Sequence, residues 1–180
     1  TLRHQDQLSP EERRSLENAF EAANKFAEDP HGWLVFLGNY GCGKTHLAAA
    51  IGNYRLALGE EPIFVVVPDF LDHLRATFNP NSNTSYDHLF EQVRTAPLLI
   101  LDDLGTQSAT PWAREKLYQI FNYRYNAKLP TVITSANELK DMDPRIRSRM
   151  LDGRTCSIHL IMAPAFIRSA ERSSKTKKKL

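Results

Sequence analysis

The sequence has 180 residues, 42% hydrophobic and 24% charged, with a formal net charge of +2. This composition suits one globular domain with a full core and excludes wholesale disorder, while so small a net charge does not by itself argue for a nucleic-acid partner. No apolar run approaches the ~18 residues that a membrane span needs. Two cysteines, Cys42 and Cys156, without metal-ligand spacing or a leader peptide, point to a reducing cytosol and a cytoplasmic location. The chain begins at Thr1 rather than Met, so a trimmed chain with a missing upstream module is expected.

In chain order, Ser9-Pro10-Glu11-Glu12 carries a capping serine, a proline at the first helical position and a glutamate three residues after the cap, a helix start. Leu16, Ala19, Phe20, Ala23 and Ala27 then repeat at helical spacing until Asp29-Pro30. Five short continuous apolar runs follow: Trp33 to Leu37, Ile63 to Val67, Leu98 to Leu101, Thr131 to Ser135 and Ser157 to Met162. Runs without polar alternation read as strands buried on both faces of a parallel sheet. Helical patterns lie between them at Thr45 to Leu58, Asp69 to Phe78, Tyr86 to Thr95 and Pro111 to Ala127, so the class is α/β with a parallel five-stranded sheet. The second and third strands are separated by two helices, split by the turn-rich stretch Asn79-Pro80-Asn81-Ser82-Asn83. One helix suffices for a crossover, so the second reads as a functional insertion. From Arg168 onward there are six cations and one anion, a basic tail expected to be flexible.

Gly38-Asn39-Tyr40-Gly41-Cys42-Gly43-Lys44-Thr45 matches G-x-x-x-x-G-K-[ST] between a predicted strand and a predicted helix. Glycines let the backbone curl so that successive N–H groups face phosphate oxygens, and the helix N-terminus adds partial positive charge. Lys44 is expected to reach the β- and γ-phosphates of ATP, and Thr45 to supply a hydroxyl to Mg²⁺. The whole stretch from Gly38 to His46, Asn39, Tyr40, Gly41 and Cys42 included, is expected to bind the nucleotide, with the Cys42 side chain filling the loop and the His46 side chain packing at the helix start rather than catalysing. The run Leu98 to Leu101 ends in Asp102-Asp103, at the strand terminus where such sheets bind ligands. Asp102 would hold Mg²⁺, and Asp103 would orient the attacking water. Many P-loop relatives carry glutamate second; an aspartate, one methylene shorter, implies slow hydrolysis or help from elsewhere. Asn137, after the fourth strand, either hydrogen-bonds the γ-phosphate or attacking water or is a strand-end turn former. Arg145, Arg147 and Arg149, read alone, are either a solvated helix face or an anion site.

GNYGCGKTHLAAAI, LLILDDLG, NYRYNAKLPTVITSAN and DPRIRSRMLDG, in that order, resemble the AAA+ ATPases, and within them the DnaC/DnaI family of replicative helicase loaders, with the IstB transposition ATPases as close cousins. The resemblance covers roughly Phe20 to Arg168. It implies a three-layer α/β/α P-loop NTPase fold, with the usual helical lid after Met162 reduced or absent. It places a boundary after an N-terminal linker and helix (1–30), an ATPase domain over 31–168 and the tail over 169–180. It makes Asn137 the polar sensor at the fourth strand, and Arg149, or as second choice Arg145, an arginine finger acting on a neighbouring subunit. Arg168 would face the nucleotide from the C-terminal segment. The double-helix insertion would grip single-stranded DNA, and Phe70, Arg75, Phe78, Tyr86, Phe90 and Arg94 supply the aromatics and cations for it, although aromatics at helical spacing also read as core. The implied cofactors are ATP or ADP with Mg²⁺. The implied partners are a replicative DNA helicase, single-stranded DNA and further copies of the chain in an ATP-dependent ring or spiral.

Overall fold

The computed structural model describes residues 8–77, 84–105 and 110–165. Phe78, the Asn79 to Asn83 turn, the side chain of Tyr86, Arg168, the lid segment and the basic tail lie outside the described residues or atoms.

The first helix, α1 (Pro10–Glu28), starts as its capping box dictates. Glu12 N–H donates to Ser9 Oγ at 3.2 Å, and Ser9 N–H donates to the Glu12 carboxylate at 2.8 Å. Ala19, Ala23, Phe26 and Ala27 turn inward. Phe20, expected on that stripe, is 57% exposed, because the stripe's drift around the helix puts Phe26 inside instead.

Five strands follow: β1 (Trp33–Gly38), β2 (Ile63–Val66), β3 (Leu99–Asp102), β4 (Thr131–Ser135) and β5 (Cys156–Ile161). They form one parallel sheet in the order β2-β3-β4-β1-β5. Val67, expected to end the second strand, instead opens α3 (Val67–Thr77), with Pro68 in the first helical turn. The remaining helices are α2 (Lys44–Ala57), α4 (Thr84–Thr95), α5 (Pro111–Asn126) and α6 (Pro144–Met150), with one 3-10 turn at Leu139–Asp141. The two-helix insertion between β2 and β3 is therefore present as α3 and α4.

Because side chains alternate along a strand, the sheet feeds two cores. Val35, Leu99, Leu101 and Ile133 pack with Phe70, Leu74, Phe90, Leu117, Phe121 and Met150 from α3 to α6. Leu34, Phe36, Ile100 and Val132 pack with Ala23, Phe26, Leu47 and Ile51 from α1 and α2 on the other face. The result is three layers, α/β/α. Among the described residues no helix is long and apolar enough to cross a membrane.

Candidate nucleotide site

The carboxyl end of the sheet gathers the residues singled out in the sequence. β1 ends at Gly38 and α2 begins at Lys44, with the loop between them shaped by two different glycine requirements. At Gly38 (φ +147°) a Cβ would lie 2.4 Å from the Ile161 carbonyl oxygen, so no side chain fits. At Gly43 (φ +105°) there is open space, and only the left-handed backbone demands glycine. Gly43 caps α2 without a side-chain bond, so the helix start presents backbone alone. Cys42 is buried in the α1–α2 core, as a loop filler should be. His46 is exposed, which corrects the expectation that it packs at the helix start; the first turn of α2 turns Leu47 and Ala48 inward and leaves His46 with Thr45 on the outer side. Asn39, Tyr40 and Gly41 are also exposed at the mouth of the loop.

Lys44 is only 8% exposed. Its Nζ donates to the carbonyls of Gly38 at 2.7 Å and Asn39 at 2.9 Å, and lies 5.8 Å from the Tyr40 ring centroid. The ammonium thus folds back over its own loop. Thr45 Oγ1 donates to Asp102 Oδ1 at 2.9 Å and Oδ2 at 3.1 Å, joining the loop to the end of β3 across 57 residues of sequence. Lys44, Thr45 and Asp102 are therefore brought together.

Asp102 is 5% exposed, and its Oδ1 also accepts from Thr134 Oγ1 at 2.6 Å. The same Thr134 oxygen accepts the N–H of Asp103 at 2.9 Å, and Leu104 N–H donates to the Thr134 carbonyl at 2.8 Å. Asp103 is held at φ 57°, a left-handed backbone that aspartate tolerates better than glutamate does. This backbone is a physical reason for the shorter acid at that position. The sequence reading missed Thr134. Its signal is the period of two: Ile100 pairs with Val132, so Asp102 and Thr134, each two residues on, share the α2 face. Finding it requires knowing which strands pair and in what register.

Oxygen donors on Thr45 and Asp102 suit a hard cation such as Mg²⁺, which takes one or two protein ligands and completes its shell with phosphate and water. Among the described residues no group of three or more His, Cys, Asp or Glu forms a metal cage.

Beyond β4, Ser135 Oγ donates to the Leu104 carbonyl and accepts Asn137 N–H at 3.0 Å, which fixes the Asn137 backbone at this sheet edge. The arginines lie elsewhere. On α6, Arg145 pairs with Asp143 at 3.0 Å and Glu115 at 3.2 Å and covers the Tyr118 ring at 4.0 Å. Its guanidinium holds the Asp143 carboxyl below its ordinary pKa. Arg149 donates to the Arg145 carbonyl at 2.8 Å and to Asn122 Oδ1 at 2.5 Å, with its guanidinium 5.1 Å and 5.5 Å from the Tyr118 and Tyr125 ring centroids. Arg147 reaches the Lys140 carbonyl at 3.4 Å. Arg145 and Arg149 thus rest on α5, away from the loop of their own chain.

In the insertion the core reading of Phe70 and Phe90 holds over the DNA-gripping role that the resemblance implied. Phe70 and Phe90 are each 7% exposed and belong to the core, so they do not stack on bases. Arg75 and Arg94 cover Trp112 and Tyr123 of α5 at 5.3 Å and 4.5 Å. Aromatics at helical spacing were the core of this layer.

Comparison with known proteins follows the same lines. A family model described as IstB-like ATP binding protein matches residues 14–160. The replicative helicase loader DnaC of Escherichia coli (strain K12) is 30% identical over 138 residues, 75% of this chain and 56% of that protein. The chain thus spans about half the length of the curated relatives it matches. Among solved structures, the crystal structure of the DnaC helicase loader superposes with a TM-score of 0.67 at 24% identity, over 82% of this chain and 90% of that one. The crystal structure of DnaI gives 0.65 at 26% identity, over 82% and 81%. A phosphate loop, an aspartate-ended third strand and the β2-β3-β4-β1-β5 sheet are thus found in a chain that belongs to the IstB-like ATP binding protein family, on the AAA+ fold of the DnaC/DnaI helicase loaders.

Proposed function

We propose that this chain is the ATPase domain of a replicative helicase loader, binding ATP with Mg²⁺ and hydrolysing it slowly. The observation that carries this reading is the Thr45–Asp102 contact, which joins the phosphate loop to a buried carboxylate at the end of the adjacent layer. Lys44 exchanges its bonds to the Gly38 and Asn39 carbonyls for phosphate oxygens, while Thr45 and Asp102 hold Mg²⁺, whose chemistry is charge neutralisation on the phosphates. Asp103 orients water, and the Asn137 amide senses the γ-phosphate. Arg149, with Arg145 as second choice, leaves α5 to complete the site of a neighbouring copy, so ATP favours an assembled ring or spiral. Assembly then acts on single-stranded DNA and on a replicative DNA helicase. With Phe70 and Phe90 in the core, DNA contact from the insertion falls to its outward polar side chains.

Replacing Lys44 by alanine tests the site. Calorimetric titration with ATP is expected to show at least a ~100-fold loss of affinity, the scale of two or three charge-assisted bonds; unchanged affinity and turnover refute the assignment.

The family description favours a second reading, an IstB-like transposition helper of the same enzyme class. Stimulation of a transposase rather than capture of a helicase selects it. The left-handed Asp103 favours a third, a nucleotide-gated switch with negligible hydrolysis. Phosphate release with and without single-stranded DNA separates that switch from an ATPase.

A further inference from the structure

We infer that Thr134 is the positioning residue of the carboxylate pair: one buried hydroxyl orients Asp102 toward the cation and sets the backbone of Asp103. The inference rests on the nucleotide-site reading above and adds a residue to it.

Thr134 lies in β4 between β1, where it pairs with Phe36, and the end of β3. It is 1% exposed, so its hydroxyl has no role in solvation. Valine has the same shape and the same strand preference, and neighbouring Val132 and Ile133 show that apolar β-branched residues suit this strand. What threonine adds is a hydroxyl that can both donate and accept, and it does both here. The donor goes to Asp102 Oδ1 at 2.6 Å and the acceptor takes Asp103 N–H at 2.9 Å.

The consequences differ for the two acids. Asp102 Oδ1 takes its shortest contact from Thr134 and also accepts from Thr45 at 2.9 Å, while Oδ2 lies 3.1 Å from the same Thr45 hydroxyl, so the Thr134 bond fixes the carboxylate rotation against Thr45. A ligand oxygen oriented by a bond from behind needs no reordering when the cation arrives, the general effect of outer partners on ligating groups. Asp103, by contrast, is held through its backbone. The bond to its N–H, together with Leu104 N–H on the Thr134 carbonyl, ends the regular β3–β4 ladder after Leu101 and keeps Asp103 at φ 57°. Losing the hydroxyl therefore loosens both acids while leaving the phosphate loop intact.

The test compares Thr134→Val, Thr134→Ser and the unsubstituted chain. Binding of the non-hydrolysable analogue AMPPCP is titrated by calorimetry at rising Mg²⁺ and again in EDTA. The valine variant is expected to need ~10–100-fold more Mg²⁺ for half-maximal AMPPCP binding, the range typical of a lost outer-shell partner, with affinity in EDTA unchanged. Serine is expected to restore the Mg²⁺ midpoint to within about twofold. In the metal-free protein the Asp103 amide should exchange with solvent faster in the valine variant than in the serine one. A purely structural role would lower the melting temperature without moving the Mg²⁺ midpoint, and that result overturns the inference, as does a serine variant that folds but does not rescue. If the valine variant does not fold, Thr134→Cys, a weak donor of similar size, must show an intermediate Mg²⁺ midpoint; a midpoint equal to that of the unsubstituted chain overturns the inference. Lys44→Ala separates the two claims. AMPPCP binding that ignores Lys44 removes the site reading itself, whereas a Lys44-dependent site indifferent to Thr134 removes only this inference.

Discussion

Among the described residues Arg124 is the largest fully buried side chain, at 0% exposure, and none of its hydrogen-bond partners there is a carboxylate. Its guanidinium donates to Thr131 Oγ1 at 2.8 Å and to the carbonyls of Arg94 at 3.2 Å, Ala96 at 2.7 Å and Pro130 at 2.6 Å. Burial pushes its pKa down to about 10, so it is still protonated at neutral pH. Arg124→Met keeps an apolar stem of similar length and removes the donors. Thr131 Oγ1 keeps its own bond to the Leu129 carbonyl, and the Pro130 carbonyl keeps Leu99 N–H. The carbonyls of Arg94 and Ala96, at the end of α4, lose the guanidinium. Two such carbonyls at about 1–3 kcal/mol each give about 2–6 kcal/mol. Relief from burying a charge offsets part of that, leaving about 1–4 kcal/mol out of a domain stability of about 5–15 kcal/mol. For a chain of this length each kcal/mol moves Tm by about 2–4 °C, so calorimetry should show a fall of about 2–16 °C. The bonds lie at the amino ends of β3 and β4, whereas the phosphate loop lies at the carboxyl ends. ATP affinity of the folded variant should therefore be unchanged. A loss of stability under about 1 kcal/mol, or an ATP affinity that falls in step with stability, refutes the reasoning.

Two further predictions follow from α6 and β5. Arg149→Ala is expected to spare ATP binding by the single chain and to lower DNA-stimulated phosphate release on the order of 10³-fold; if the loss tracks Arg145→Ala instead, the finger is Arg145. His159 is partly buried beside Phe36, with Ser157 Oγ 2.8 Å from its Nε2, and burial lowers its pKa below 6.5. The unfolded chain thus binds more protons just below pH 6.5, and folding stability falls as pH drops through that window. Urea midpoints at pH 7.5 and 5.5 should differ less for His159→Gln than for the unsubstituted chain, and equal differences would refute the linkage.

The parts of the site legible in the sequence are those whose chemistry is contiguous. A glycine loop between a strand and a helix encodes its own backbone path, and an apolar run closed by Asp102 and Asp103 announces a strand end with two acids. Alternating apolar runs and helical patterns likewise carry the α/β class, because burial on both faces of a parallel sheet leaves no polar alternation. Tertiary structure decided what depends on neighbours distant in sequence. Thr134 looks like an ordinary strand residue until β4 is paired with β3 in one register. Phe20 and Phe26 sit on one amphipathic helix, and only the position of α2 and β5 selects which of them is buried. The cations and aromatics of α3 and α4 have the composition of a nucleic-acid surface, yet α5 supplies rings that engage Arg75 and Arg94 and apolar residues that bury Phe70 and Phe90. Arg149, finally, is an arginine on a short helix by sequence; its rest against Asn122 and Tyr118 exists because α5 and α6 are packed side by side. Local backbone chemistry is written in adjacent residues, whereas partner choice is set by which surfaces the sheet brings together.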